Sequence, residues 1–444
     1  MQADPAPPST SLWQATAVPA PALRPPLQGG AETEVAIVGA GFAGLSTALH
    51  LAERGVAVTV LEAGAVGEGA SGRCGGHLLY GGRLSEAESL HCFGSEAGGR
   101  LHAFGARAAD EAFALIERLK LRCDADRAGS IYAADSDAGL AEARHKFKAL
   151  QAAGVPARWL DRDAIMQTIG SAAYRGGYLN PKAGGVQPLS LVRELARAAQ
   201  AAGAHIHPQT PALALQRQGS GWRLRTPAGW LDARRVLLAT NAQGPAAALW
   251  PALRRTVLPV WSFQAATAPL PDAAGVLPGR PVVSDTRRLL NYFRRDAAGR
   301  LVMGGKGTLA GPRGPDSFAL QRQTIARLFP ALADQPLPFC WGGRVSVTLQ
   351  RRPRLFAFDG AHTVLASVAC NGKGLAWNLA LGPVLADALT GTAIDALPLP
   401  PPEPARAIPL HALRPLYAAA GTAWLRWQDG RDDRRRRPAP IPGA

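Results

Sequence analysis

Residues 35–44 read Val35-Ala36-Ile37-Val38-Gly39-Ala40-Gly41-Phe42-Ala43-Gly44, and how they are read decides the fold. An apolar run of four enters a G-x-G-x-x-G. A helical pattern follows, with Leu45, Ala48, Leu49 and Ala52 on one face, and a second apolar run, residues 56–61, ends at Glu62. Strand, glycines, helix, strand and acid stand in the order of a βαβ unit, and each glycine has a task there. Gly39 allows the tight strand-to-helix turn, Gly41 admits a pyrophosphate to the backbone, and Gly44 lets the helix pack closely on the strand. A diphosphate then rests on N–H groups at the positive end of the helix dipole. Glu62, about twenty residues on, can accept hydrogen bonds from the hydroxyls of an adenosine ribose. The stretch binds a dinucleotide.

Ala63-Gly64 comes next, and then Gly67-Glu68-Gly69-Ala70-Ser71-Gly72-Arg73-Cys74-Gly75-Gly76-His77. A nicotinamide domain would continue into another alternating βα unit. This chain continues into a glycine-dense loop suited to lie flat against a planar ring. Here the sequence resembles the D-amino-acid oxidase superfamily of flavoproteins, and within it the gamma-glutamylputrescine oxidase branch. That branch typically reads G-A-S-G-R-N-G-G-Q where this chain has residues 69–77, so Cys74 and His77 are departures.

The resemblance implies FAD as the cofactor. It places Ala63, Gly64, Ala70, Ser71, Arg73, Cys74, Gly75 and Gly76 against FAD, beside residues 39–44 and Glu62. It also implies that Ala212 touches the adenine side through its backbone and that Ala239-Thr240-Asn241 passes under the diphosphate. The helix opened by Gly372-Lys373-Gly374-Leu375 would aim at the pyrimidine side of the ring. The implied fold is mixed α/β: a Rossmann-like FAD domain of the glutathione-reductase kind, interleaved with an antiparallel-sheet substrate domain.

Composition is compatible with this. The chain has 444 residues, 47% hydrophobic and 18% charged, enough for two domains with a large core. No apolar run is long enough to span a bilayer, and the N-terminus lacks the basic-then-apolar layout of a secretory signal. Five widely spaced cysteines (74, 92, 123, 340, 370), an odd number without C-x-x-C, argue for reduced thiols, a cytoplasmic setting and no metal site. The net charge is +16, yet only six of 49 basic residues are lysines and no nucleic-acid module accompanies them.

Periodicity divides the chain as follows. Residues 1–31 hold seven prolines and read as an extended arm, which Ser11-Leu12-Trp13 would pin to the body. FAD segments are expected at 32–83, 184–250 and 341–398, and substrate segments at 84–183 and 251–340. Residues 290–295 and 300–304 flank a four-residue hairpin connection. A helix is expected over 375–389, with Pro383 set to kink or restart it. The tail, 399–444, is proline-rich and then helical, with aromatic residues beside an arginine cluster. It is expected to dock on its own domain, membrane contact being the less favoured reading.

Oxidation of an amine asks for positioning, a dry pocket and positive charge beside a ring that becomes anionic, and needs no catalytic triad. Lys373 is the candidate for that charge; relatives carry Gly-His-Gly there. His77 is a candidate for orienting the substrate amine. Asn291 is a candidate substrate contact, since the resemblance places a substrate-touching tyrosine nearby. Alternation puts Asn291 and Phe293 on one face of the hairpin and Tyr292 on the other. Trp261, Lys306, Arg344 and Arg351-Arg352 are weaker candidates. The expected partners are an amine or amino-acid derivative, together with oxygen or another electron acceptor.

Overall fold

A computed structural model describes residues 11–241, 249–307, 310–350, 352–368 and 371–436. Arg351, Cys370, the first ten residues of the expected arm and the last eight of the tail lie outside the described residues.

Two eight-stranded sheets carry the molecule. The first runs Arg354–Ala357, Val364–Val368, Gly229–Leu238, Gly29–Val38, Val58–Leu61, His205–His207. The pairings from Val364–Val368 through to His205–His207 are all parallel, and Val35 to Val38 are all buried, as a strand covered on both faces requires. Gly221–Thr226 and Ala214–Gln218 extend it as an antiparallel flap on Gly229–Leu238. The second sheet runs Phe339–Val347, Leu258–Pro269, Arg300–Lys306, Tyr292–Arg295, Val282–Asp285, Ser130–Ala134, Gly176–Asn180, Arg158–Leu160. Every pairing in it is antiparallel except Val282–Asp285 with Ser130–Ala134. Phe339–Val347 lies along Leu258–Pro269, so the second sheet runs past the boundary expected at 340.

Helix Phe42–Ala52 packs directly on helix Gly374–Thr390. The latter is continuous through Pro383, where a kink or restart was expected. Proline lacks the N–H that would bond the carbonyl four residues back, which leaves the oxygen of Leu379 without its helical donor. Ser46 Oγ donates to that oxygen at 2.7 Å. Gly382 makes the approach possible, because a Cβ there would lie 2.0 Å from Ser46 Oγ. A serine on one helix thus compensates the proline on the other.

The N-terminal arm is not simply extended. Ser11 caps a short helix, Leu12–Thr16, whose Leu12 and Trp13 are fully buried, and the first strand already begins at Gly29. The hairpin connection at 296–299 has the expected length. Gly299 takes φ +80°, and Asp296 Oδ1 accepts from the Arg300 N–H at 2.8 Å.

Candidate active site

The dinucleotide end assembles from backbone. Gly39 has φ +107°, and a Cβ there would come within 3.1 Å of the Ala239 oxygen. Residues 239–241 therefore run against the glycine turn. Asn241 itself has φ +52°, and its oxygen accepts from Ser346 Oγ at 2.8 Å. A Cβ on Gly44 would lie 2.0 Å from the Gly39 oxygen, so only glycine permits this helix-to-strand contact. The Glu62 carboxylate accepts from the N–H groups of Ala40 at 2.7 Å and Gly64 at 3.1 Å. Burial raises its pKa, while the backbone donors of Ala40, Gly64 and Ala63 pull it back. The oxygen of Glu62 also accepts from Thr210 N–H, which brings the buried Ala212 to the same strand end.

The glycine-dense loop is held quite differently. Residues Ala70–Gly72 form one 3-10 turn at the start of helix Phe42–Ala52, and Ser71 Oγ accepts from Phe42 N–H at 3.1 Å. The next four carbonyls are each taken by a distant part of the chain. Arg73 oxygen accepts from Gln264 Nε2 at 2.6 Å and from Trp341 Nε1 at 3.0 Å. Cys74 oxygen accepts from Trp13 Nε1 at 2.9 Å, and Gly75 oxygen from Arg294 Nε at 3.0 Å. Gly76 oxygen accepts from Val186 N–H at 2.8 Å. Arg294 also donates to the Val186 oxygen, and its guanidinium lies 5.1 Å from the Trp13 ring centre. All four loop oxygens are thus turned into the protein.

Sequence reasoning missed Gln264, Arg294 and Trp341 as loop supports. Gln264 and Trp341 face each other across the Leu258–Pro269/Phe339–Val347 ladder, a register no local pattern reveals. Arg294 shares a hairpin face with Tyr292, which alternation alone could have told.

His77 opens strand His77–Leu78, paired with Gly184–Gly185, and meets Tyr292 edge-on at 5.5 Å. Burial, then the Arg294 charge, push the imidazole down to about 3, so His77 is neutral at physiological pH. The Tyr292 hydroxyl lies 2.8 Å from Ser262 Oγ, and burial raises its pKa. Gly75 and Gly304 make room for the Tyr292 ring; a Cβ would approach it to 2.7 and 2.1 Å respectively.

Asn291 belongs elsewhere. Its Nδ2 donates to Asp285 Oδ2 at 2.7 Å and its N–H to Oδ1 at 2.9 Å. The Asp285 carboxyl is pushed up to about 7, chiefly by burial. The alternation expected for the hairpin holds, but the face that meets the loop carries Tyr292. Asn291 is turned to the buried Asp285 carboxyl on the other side.

Lys373 precedes helix Gly374–Thr390 and sends Nζ to the Gly82 oxygen at 3.1 Å, on the segment that continues from His77. Burial, then Arg83 and Lys146, push its ammonium down to about 8. Gly372 has φ +92°, and Leu375 is buried. Lys306 ends its strand with Nζ on Thr422 Oγ1 at 2.8 Å, and Arg344 lies over Trp261 at 5.1 Å. Among the described residues no group of three or more His, Cys, Asp or Glu could hold a metal ion.

These residues fit an elongated dinucleotide with a ring at one end. Neither Gly41 nor Lys373 gives its helix a side-chain cap, and a Cβ on Gly372 would meet nothing within 4 Å. The loop and its continuation touch the first residues of both helices, at Phe42 and Lys373. One helix start suits a diphosphate and the other, with a cation, suits a ring that becomes anionic.

A parallel nucleotide sheet, a pinned glycine loop and a second sheet beside it define a flavin-dependent oxidoreductase. Residues 34–388 match the family model described as DAO, FAD dependent oxidoreductase, and the chain belongs to that family. It is 32% identical over 343 residues to the probable oxidoreductase OrdL of Rhizobium meliloti (strain 1021), covering 77% of this chain and 79% of that one. It is 30% identical over 368 residues to the gamma-glutamylputrescine oxidoreductase of Escherichia coli (strain K12), covering 81% and 84%. Among solved structures it is similar to glycine oxidase from Geobacillus kaustophilus, with a TM-score of 0.70 and 22% identity over 81% of this chain and 95% of that one.

Proposed function

We propose that this protein oxidises a primary or secondary amine, or an amino-acid derivative, to the imine, with oxygen as acceptor and hydrogen peroxide as product. Similarity to gamma-glutamylputrescine oxidoreductase over most of both chains supports the amine. The observation that carries the reading is the corner where neutral His77 and Tyr292 meet beside the pinned loop. An amine gives up hydride from the carbon beside nitrogen only when nitrogen is uncharged. A neutral imidazole can accept a hydrogen bond from such an amine. FAD, when bound, supplies the two-electron acceptor.

The residues share the remaining work. Tyr292, rather than Asn291, borders the substrate space, and its hydroxyl is positioned by Ser262. Lys373 holds positive charge at the start of helix Gly374–Thr390, where it stabilises negative charge on the ring. Five widely spaced cysteines without a C-x-x-C support a reducing compartment, the cytoplasm.

Anaerobic mixing of the FAD-loaded protein with a panel of amines and amino acids tests the reaction. At least one amine, gamma-glutamylputrescine among those tried, bleaches the flavin absorbance, and readmitted oxygen restores it with one peroxide per turnover. If no amine bleaches it, the amine reading is wrong. Reoxidation by a quinone analogue but not by oxygen would overturn the acceptor alone.

A further inference from the structure

The C-terminal helix, Arg414–Arg436, meets the body along one side. Thr422 accepts from Lys306, and the buried Asp429 accepts from the N–H groups of Arg288 and Leu289 at 3.3 and 3.1 Å while pairing with the Arg288 guanidinium at 3.2 Å. Seven residues apart, these two share a helix face. Leu413, Tyr417, Ala420, Trp424 and Trp427 recur at steps of four and three on the opposite face. There Trp424 and Trp427 stack at 4.9 Å and remain 57% and 47% exposed, and Leu416 beside them is 68% exposed.

This is the reverse of a helix docked by apolar burial, which turns its hydrophobic stripe inward. The inward side is polar and bonded, and the aromatic side has nothing over it among the described residues. Charge indicates what covers it. The Arg431 guanidinium lies 5.2 Å from the Trp427 ring centre, and residues 431–437 hold five arginines against two aspartates, in a chain of net charge +16. A second copy would bring two arginine clusters together, whereas an anionic surface neutralises one. Tryptophan and arginine side by side suit the headgroup region of a bilayer. No described helix is long and apolar enough to cross a membrane, so this one would lie along the surface.

We propose that the outward face of the C-terminal helix binds an anionic lipid surface, with Leu416, Tyr417, Trp424 and Trp427 entering the headgroup layer and the arginines meeting lipid phosphates. The FAD-loaded full chain should co-sediment with vesicles containing equal parts phosphatidylglycerol and phosphatidylcholine, and not with phosphatidylcholine alone. Added salt should weaken the binding. Trp424→Ser with Trp427→Ser should reduce binding at least about tenfold, and Arg434→Gln with Arg435→Gln and Arg436→Gln by several fold, both with full flavin content. The proposal is overturned if the wild-type chain ignores anionic vesicles at low salt, or if the tryptophan pair can be replaced without loss of binding. It is also overturned if that replacement converts a lipid-free dimer to monomer, which would give the face to a second copy.

Discussion

Two glycine-rich segments close in sequence, 39–44 and 70–77, are held by opposite means. The first is set by its own neighbours: the turn at Gly39, the close contact of Gly44, and a carboxylate at the end of the next strand. The second has no regular structure to support it beyond one 3-10 turn and a two-residue strand. Its shape comes from side chains that arrive from residues 13, 264, 294 and 341. A motif carries its instructions with it. A clamp does not, and that difference sets what each segment tolerates.

The sharpest way to break the first segment is Gly44→Ala. Its Cβ would fall 2.0 Å from a backbone oxygen that cannot give way without moving the strand or the helix. We expect FAD affinity to fall about a hundredfold or more, seen as protein purified without flavin absorbance. Retention of flavin at wild-type affinity would mean the contact can relax.

The second segment should fail through a distant residue. Arg294→Met leaves the Gly75 and Val186 oxygens buried without that donor, at a cost of about 3 kcal/mol or more by denaturant unfolding. It also removes a positive charge beside His77, whose pKa should rise from about 3 toward its ordinary value. A histidine resonance that still fails to titrate would leave burial as the sole cause.

At the ring end the expected effect is smaller. Lys373 is charged below about pH 8 and loses its charge as pH rises through that value. Lys373→Met should therefore lower the potential of bound FAD at pH 7 by about 30 mV, equivalent to ~1.4 kcal/mol for two electrons. The gap between variant and wild type should close above about pH 8. A gap constant with pH would exclude the ammonium as its source.

The smallest effects separate two neighbours in the hairpin. Asn291→Ala should cost about 1–2 kcal/mol of stability, because Asp285 loses one donor, and leave KM unchanged. Tyr292→Phe should do the reverse, raising KM for the amine about two- to fivefold with stability nearly intact. Interchanged outcomes would return the substrate contact to Asn291.

Legibility in the sequence follows the same division. Helices and strands with clear periodicity, among them Gly374–Thr390 and the hairpin around 296–299, stand close to where spacing puts them. Residues 39–44, Glu62, Gly64 and 239–241 come together because one βαβ unit and its neighbouring strand bring them there. At the hairpin, alternation separated Asn291 from Tyr292 without telling which side met the loop. Asn291 and Phe293 are buried and Tyr292 is half-buried, so neither face shows the polar character that marks an outside. Pro383 misled for a similar reason, since its remedy, Ser46, lies on another helix. Arg294 went unnoticed because its acceptors are backbone oxygens, which leave no complementary residue to find.

Trp13 lies near the start of the described residues, and its partners come late. Its indole bonds Cys74, its carbonyl accepts from Gln187, and its ring meets Trp341 edge-on at 5.5 Å. The contact with Trp341 spans most of the polypeptide, and contacts of that separation form slowly. During synthesis the nucleotide motif emerges whole within the first part of the chain. The flavin loop takes its full set of contacts only with the strand around Trp341 in place, so the ring end of the site draws on both ends of the chain and the nucleotide motif on one.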